Sequence, residues 1–188
     1  MNGQHLLTWL KYEKYIALNL LEKINLLKYI NMKDKIRIIP AKRKHRHEMK
    51  SVNEICLPEN YPMDYWEENL KAKNSFVLCA NSQVIGYILT NHEPSIASFA
   101  VLEQYRNKGY GKQLILTCLQ ELEKKGYNKV TLHVHVDNQI AFNLYKSAGF
   151  TITETLPNYY GDGQNGHLMT LTDFHSSQTV SSPQMVPS

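Results

Sequence analysis

The sequence is poor in cysteine and has no long hydrophobic run. Its three cysteines, Cys56, Cys79 and Cys118, lie far apart without a Cys-x-x-Cys pair, so neither a disulfide scaffold nor a thiolate zinc site is expected, and a reducing compartment is favoured. No segment approaches the roughly 18 uncharged apolar residues of a membrane span. The apolar stretch 16–21 is cut short by charged residues without the cleavage site of a secretory signal. We therefore expect a cytoplasmic protein.

A strong excess of one charge is also missing. Lys and Arg total 21 against 17 Asp and Glu, which gives 188 residues a net charge of +4. This excess is too small to indicate nucleic-acid binding, although it suits a polyanionic small molecule. Hydrophobic residues make up 43% and charged residues 20% of the chain, which excludes wholesale disorder and collagen-like repetition. The length predicts one domain, with or without tails.

The two ends of the chain differ from its middle. Residues 6–30 place apolar side chains on one face at helical spacing. A helix packed on its own domain, a frayed extension, and a helix that docks on a membrane surface or a partner are the alternatives. Residues 176–188 have neither charge nor apolar periodicity, which predicts a disordered tail. We divide the chain into an N-terminal helical extension at 1–31, a domain at 32–175 and that tail.

Strand and helix patterns alternate through the middle of the chain. Apolar and β-branched runs between turn residues predict seven strands, at 36–40, 76–80, 84–90, 96–101, 130–136, 151–156 and 167–171. Amphipathic spacing and capping residues predict four helices, at 42–57, from an Asp64 cap to Ala72, at 109–125, and from a cap at Asp137 or Asn138 to Ala148. Strands that alternate with helices imply an α/β or α+β sheet packed on both faces.

The loop that opens the helix at 109–125 has the clearest chemical signal. The unpaired N–H groups and partial positive charge of a helix N-terminus favour an anion there. Gly109 and Gly111 would let the backbone approach that anion closely, because no Cβ stands in the way. Arg106, Lys108 and Lys112 add positive charge. A plain glycine turn is the alternative.

Two common phosphate motifs do not fit this loop. A Walker loop needs Ser or Thr after Gly-Lys, but Gln113 follows Gly111 and Lys112. A dinucleotide-binding fingerprint needs a small residue where this chain has the bulky Leu114. A pyrophosphate cradle of another kind is therefore predicted.

Several spaced segments together resemble a known superfamily. They are Arg106-x-x-Gly109-x-Gly111 after a strand, Asn138 after the next strand, and the runs LPENY at 57–61, LHV at 132–134, AFNLYKSAGF at 141–150 and NYYGDG at 158–163. They resemble the GNAT acyl-CoA-dependent N-acetyltransferases, and within them the protein N-terminal acetyltransferases of the NatA catalytic-subunit and RimI types. The similarity runs from about residue 35 to about residue 173. It implies the GNAT fold, a mixed, mostly antiparallel sheet of about seven strands that is splayed in the middle between helices on both faces.

The resemblance implies acetyl-CoA as co-substrate and no metal. The backbone of the strand before the glycine loop would bind the pantetheine arm, through Phe99, Ala100 and Val101, and the Val101 N–H would also polarise the thioester carbonyl. The pyrophosphate would lie on the loop formed by Arg106, Asn107, Lys108, Gly109, Tyr110, Gly111 and Lys112. Asn138 would contact the cofactor farther along, where the two central strands separate.

The resemblance also implies the catalytic residues. Tyr145 would protonate the departing CoA thiolate, since a phenol can serve a thiolate when the site perturbs either group. His133 would accept the proton of the substrate amine, directly or through water. Glu59 would pair with the substrate ammonium or help to deprotonate it. A packed helix tyrosine, a structural strand histidine and a solvated loop glutamate are the respective alternatives. Cys118 falls on a buried helix stripe, so an acyl-cysteine route is not expected.

Substrate residues follow from the same resemblance. Tyr61, Tyr159 and Tyr160 look like the two loops that clamp the substrate backbone. His135 stands where NatA-type subunits commonly have Arg, so the charge that faces the peptide depends on pH here. A chain-terminal amine has a reference pKa near 8 and lysine one near 10.4, so preparing the neutral amine at pH 7 costs roughly 1.4 kcal/mol for the former and more than about 4 kcal/mol for the latter. This difference favours an α-amine substrate.

The basic run at 42–47 and the histidine pairs have several interpretations. A solvated helix face, a surface for an auxiliary subunit or ribosome, and a nuclear-import signal all fit the run. Together with residues 1–31, this first helix is a candidate surface for an auxiliary subunit or for self-association. Two pairs of histidines have the spacing i,i+2, His45 with His47 and His133 with His135. Neither pair has a nearby third ligand, so no metal site is expected.

We therefore predict an N-acetyltransferase that moves an acetyl group from acetyl-CoA to the α-amino group of protein or peptide N-termini by direct attack in a ternary complex. A GNAT enzyme for a small-molecule amine or a protein lysine is the first alternative. An acyl-CoA-binding regulatory or scaffold protein without activity is the second.

Overall fold

The computed structural model describes residues 20, 22, 23, 34–161 and 163–174. The chain divides into two units, at 1–35 and 36–188. In the first unit the described residues Leu20, Glu22 and Lys23 are helical and exposed. The rest of the predicted extension at 1–31 and the predicted tail lie outside the described residues. Among the residues described, no helix is both long and apolar enough to cross a membrane.

The described part of the second unit contains seven strands and four α-helices. The strands are β1 Ile36–Pro40, β2 Phe76–Ala80, β3 Gln83–Thr90, β4 Ser95–Val101, β5 Lys129–His135, β6 Thr151–Leu156 and β7 Gly166–Thr172. The helices are α1 Arg46–Cys56, α2 Met63–Leu70, α3 Tyr110–Lys124 and α4 Gln139–Ser147, with short 3-10 turns at Arg43–His45 and Glu103–Tyr105. Every predicted strand and helix of this unit is present, and the differences concern their ends.

Two predicted helix starts are wrong. The helix expected from Lys42 begins with a 3-10 turn, because the imidazole of His45 accepts a hydrogen bond from the Lys42 N–H at 3.1 Å and tightens the chain there. Asp64 is not the cap of α2, which starts after Pro62. The Asp64 carboxylate instead accepts a hydrogen bond from the Tyr65 N–H in the first turn, where a negative charge suits the helix dipole.

The seven described strands form one sheet in the order β1-β2-β3-β4-β5-β7-β6. Every neighbouring pair is antiparallel except β4 with β5. These two parallel strands pair only at Ser95 with Thr131 and at Ile96 with Leu132. From residue 97 onward β4 therefore leaves β5, which confirms the predicted mixed, mostly antiparallel sheet that is splayed in the middle.

Helices cover both faces of this sheet around the splayed strands. Helix α1 packs against β3 and β4, while α3 packs against β2, β3 and β4. Strands β2 and β3 are buried almost throughout, since they lie between the two layers of helices. The buried stripe of α3 has the predicted spacing and consists of Leu114, Ile115, Cys118, Leu119 and Leu122. Packing of α1 and α3 against β4 thus holds this strand in place beside the gap between β4 and β5.

Candidate active site

The edge of β4 offers backbone donors to the gap between β4 and β5. The N–H of Leu102, the residue after β4, donates to the carbonyl of Ile85 on β3 at 2.9 Å. Because successive N–H groups of a strand point to opposite sides, those of Val101 and Phe99 point away from β3 and toward the gap. These are the donors that sequence analysis expected for a pantetheine arm and a thioester carbonyl.

The Val101 carbonyl anchors the glycine loop to this edge. It accepts hydrogen bonds from Arg106 Nε at 2.8 Å and from the Cys56 thiol at 3.6 Å. Lys108 Nζ donates to the Gln104 carbonyl at 3.0 Å. The side chains of Arg106 and Lys108 therefore brace the loop as well as adding charge to it.

The two glycines of the loop have different reasons to be glycine. Gly109 is the N-cap of α3 with a φ of 79°, a left-handed conformation that side chains disfavour. It has no side chain to cap the helix, so the first-turn N–H groups of residues 110–112 are left for another acceptor. A Cβ on Gly111 would lie 3.3 Å from both the Phe99 ring and the Leu144 side chain. Gly111 thus lets α3 pack closely against β4 and α4.

Tyr145 on α4 lies against the same edge. Its side chain is 7% exposed, and its ring meets those of Phe99 and Phe150 edge-on with centroids 6.2 and 6.0 Å apart. Burial raises the pKa of Tyr145 well above that of an ordinary phenol, and the Tyr160 and Tyr87 hydroxyls raise it further. The hydroxyl therefore stays protonated at neutral pH, as a proton donor must.

His133 and His135 share a face of β5, and each meets a tyrosine. The His133 ring stacks on Tyr159, with centroids 4.3 Å apart and planes 13° from parallel, while His135 lies 5.0 Å from the Tyr160 ring. Burial lowers the pKa of His133, which keeps its imidazole neutral at pH 7 and able to accept a proton. The Asp137 N–H donates to His135 Nδ1 at 3.2 Å.

The predicted entrance loop approaches these tyrosines. Tyr61 stacks on Tyr65 with centroids 4.4 Å apart. Burial, with smaller contributions from Tyr65, Glu59 and Tyr159, raises the pKa of Tyr61 to about 12. Glu59 is half-buried. The structure therefore brings Tyr61 into electrostatic range of both Glu59 and Tyr159, and Tyr159 covers His133.

Asn138 caps helix α4, as the sequence predicted for Asp137 or Asn138. Its Oδ1 accepts a hydrogen bond from the Ala141 N–H at 3.0 Å and caps α4. The residue is exposed beyond the end of β5. Its side-chain oxygen thus serves the helix, whose packing positions Tyr145.

Comparison with known proteins decides the family. Residues 43–150 match the sequence profile of the Acetyltransferase (GNAT) family. This chain is a GNAT-family acetyltransferase. It is 37% identical to an N-alpha-acetyltransferase of Sulfurisphaera tokodaii over 63% of this chain and 81% of the relative. It is 33% identical to the N-terminal acetyltransferase A complex catalytic subunit NAA10 of Arabidopsis thaliana over 64% and 69% of the two chains. The structure resembles that of Ard1 from Thermoplasma volcanium, with a TM-score of 0.70, 27% identity, and coverage of 74% and 99%.

The acetyltransferase has a buried polar network that sequence reasoning missed. The Tyr87 hydroxyl accepts a hydrogen bond from Asn53 Nδ2 at 3.0 Å and is hydrogen-bonded to Ser98 Oγ at 2.7 Å. The Tyr87 ring packs edge-on against Trp66 with centroids 5.3 Å apart. The sequence did contain a signal for Asn53, because this polar residue falls on the buried face of α1. This network joins α1 to β4 one residue before Phe99.

Two further features bear on the chemistry of the acetyltransferase. Burial raises the pKa of the Cys118 thiol to about 12, and the thiol donates to the Asn74 carbonyl at 3.5 Å, so it is a poor nucleophile. In the part of the chain that the structure describes, no group of three or more His, Cys, Asp or Glu residues could hold a metal ion.

Proposed function

We propose that this acetyltransferase transfers the acetyl group of acetyl-CoA to the α-amino group of protein or peptide N-termini. One observation carries the proposal: a neutral, half-buried imidazole and a protonated, buried phenol lie among tyrosines beside the gap in the sheet. The activities named for its relatives in Sulfurisphaera and Arabidopsis point the same way.

The residues around the gap fit acetyl-CoA. The Phe99 and Val101 N–H groups would hold the pantetheine arm, with Ala100 between them in the strand. The first turn of α3 has open N–H groups for a diphosphate, and at Gly109 an added Cβ would meet no described atom within 4 Å. Arg106 would keep this loop and the strand edge in one arrangement through its bond to Val101. Acetyl-CoA supplies the activated acyl thioester.

Proton transfers are assigned to three side chains. Glu59 would pair with the incoming ammonium, and His133 would accept its proton, directly or through water, before the amine nitrogen bonds to the acyl carbon. Tyr145 would donate its hydroxyl proton to the CoA sulfur as the carbon–sulfur bond breaks. The Val101 N–H would stabilise the negative charge on the carbonyl oxygen during the attack.

The same acceptors favour an α-amine over lysine. At pH 7 the neutral α-amine costs roughly 1.4 kcal/mol to prepare, against more than about 4 kcal/mol for lysine. A histidine with a lowered pKa is a weak base, so it suits the easier deprotonation. Tyr61, Tyr159 and Tyr160, together with His135, would then bind the first residues of the peptide.

We extend the proposal to the surroundings of the enzyme. The division into an extension at 1–31, a catalytic domain at 32–175 and a tail at 176–188 is kept, with a cytoplasmic location. Residues 1–31 and α1 would receive an auxiliary subunit or a second copy. Two of the six residues of the basic run also serve another purpose, because Arg43 and Arg46 both lie 3.0 Å from the Glu67 carboxylate on α2.

A peptide assay tests the proposed acceptor. The purified chain is incubated with acetyl-CoA and peptides that carry both a free N-terminus and an internal lysine, while N-terminally blocked copies and small amines serve as controls. CoA release reports turnover, and fragment-ion mass spectrometry locates the acetyl group. We expect acetylation of the free N-terminus and none of the blocked copies. Modification of lysines or small amines alone would overturn the choice of acceptor, and acetyl-CoA binding without any turnover would favour the regulatory alternative.

A further inference from the structure

The Tyr159 ring contacts one residue on each of two paired strands of the sheet, β5 and β7. One face stacks on His133 of β5, with ring centroids 4.3 Å apart. The ring also rests on Gly166, the first residue of β7, where an added Cβ would lie 2.9 Å from Tyr159 Cδ1 and 3.1 Å from Tyr159 Cγ. Both atoms belong to the rigid base of the ring, so any larger residue at Gly166 would have to displace it.

Backbone hydrogen bonds of the loop between β6 and β7 hold Tyr159 in this position. The Asn158 N–H donates to Asn165 Oδ1 at 3.0 Å, and the Tyr160 N–H donates to the Gln164 carbonyl at 3.1 Å. The Asn165 carbonyl in turn accepts a hydrogen bond from the Val136 N–H, directly after β5. Hydrogen bonds on both sides of Tyr159 therefore tie the loop to itself and to the strand that carries His133.

Few charges act on the His133 imidazole from the elements around it. Tyr159 lies on it from the loop, His135 shares its face of β5, and Leu168 is opposite on β7. Glu59 acts on Tyr61 across the entrance. Among the described residues, burial alone accounts for the lowered pKa of His133. The stacked Tyr159 ring covers one face of the imidazole and so contributes to this burial.

We propose that Gly166 and Tyr159 form a positioning pair for His133: Gly166 seats the Tyr159 ring, and the ring orients the imidazole and shields one of its faces from water. The proposal rests on the proposed function, in which His133 accepts the proton of the amine. Tyr159 then has two tasks, because it also lines the substrate loop. Gly166 acts only through Tyr159.

NMR titration of His133 tests the pair without any substrate. The imidazole resonance is assigned by its loss in His133→Gln. We expect Tyr159→Phe to keep the wild-type midpoint, because the stack survives, and Tyr159→Ala to move it up toward the reference value near 6.5. Gly166→Ala should move it in the same direction. In the control, Gly161→Ala, an added Cβ meets no described atom within 4 Å, and the midpoint should stay. An unchanged or lowered midpoint in Tyr159→Ala overturns the proposal, whether or not Gly166→Ala folds.

Kinetic measurements add a second test, because a purely structural role of Tyr159 and Gly166 would not change the pH profile of kcat/KM. For Tyr159→Ala and Gly166→Ala, the acidic limb of kcat/KM should shift to higher pH, and kcat above that limb should fall roughly tenfold to a hundredfold through lost orientation. In a His133→Gln background, Tyr159→Ala should lower kcat by much less than it does in the wild type, and any remaining loss reports its task in the substrate loop. Full additivity of the two substitutions would contradict the pair. If His133→Gln alone keeps full activity, the proposed base is wrong, and the NMR midpoints still decide whether the stack exists.

Discussion

Replacing Tyr87 by phenylalanine keeps a buried ring in place and removes one hydroxyl. That hydroxyl is the partner of Asn53 Nδ2 and of Ser98 Oγ, and Asn53 Oδ1 already lacks a hydrogen-bond partner among the described residues. A buried group left unsatisfied costs about 1–3 kcal/mol. Asn53 Nδ2 loses its acceptor in this variant, so we expect a loss of about 1–3 kcal/mol in the free energy of unfolding.

Urea unfolding followed by circular dichroism measures this loss. With a slope of about 2 kcal/mol per molar urea, the midpoint should fall by about 0.5–1.5 M at an unchanged slope. Tyr127→Phe is the matched control, because Tyr127 is exposed and its substitution should change the free energy by less than about 0.5 kcal/mol. If Tyr87→Phe loses no more than this control, the network does not stabilise the junction of α1 with β4.

Two further substitutions and one pH profile test the site. Tyr145→Phe should lower kcat roughly 10²- to 10⁴-fold with little change in the Kd of acetyl-CoA, because it removes the proton donor but keeps the packing; a wild-type kcat in the CoA-release assay would exclude that role. The pKa of His133 is lowered and its neutral form is the active one, so the midpoint of the acidic limb of kcat/KM should lie below the reference value near 6.5. A limb at or above pH 6.5 that persists in His133→Gln would contradict this. Arg106→Ala frees the Val101 carbonyl and should raise the Kd of acetyl-CoA roughly tenfold by calorimetry, and an unchanged Kd would mean that the loop needs no such anchor.

The elements of the fold were predictable because their signals are local. Apolar spacing and the two glycines predicted a helix at 109–125, which is α3 at Tyr110–Lys124. Asp137 or Asn138 was predicted to cap α4, and Asn138 is the cap. Asp64 was misleading, because a residue that caps helices well also suits their first turn. Helix α2 instead begins at Met63, directly after Pro62. Tyr61, just before this start, stacks on Tyr65 in the first turn.

The contacts that build the site were not predictable from local signals. Tyr87 meets Asn53 across 34 positions and Ser98 across 11, so only the folded sheet reveals the network. Gly166 looks like any strand-opening glycine until the pairing of β5 with β7 brings Tyr159 over it. The roles given to Glu59 and His133 came from the family resemblance and stay predictions, to which the structure adds the surroundings of each side chain.

A crystal structure of the chain with acetyl-CoA and a peptide bound tests the central claim most directly. The diphosphate should accept hydrogen bonds from the N–H groups of residues 110–112, the thioester carbonyl should face the Val101 N–H, and the peptide amine should lie beside His133. A diphosphate bound away from the start of α3, or an amine that enters from the far side of Tyr145, would contradict the account.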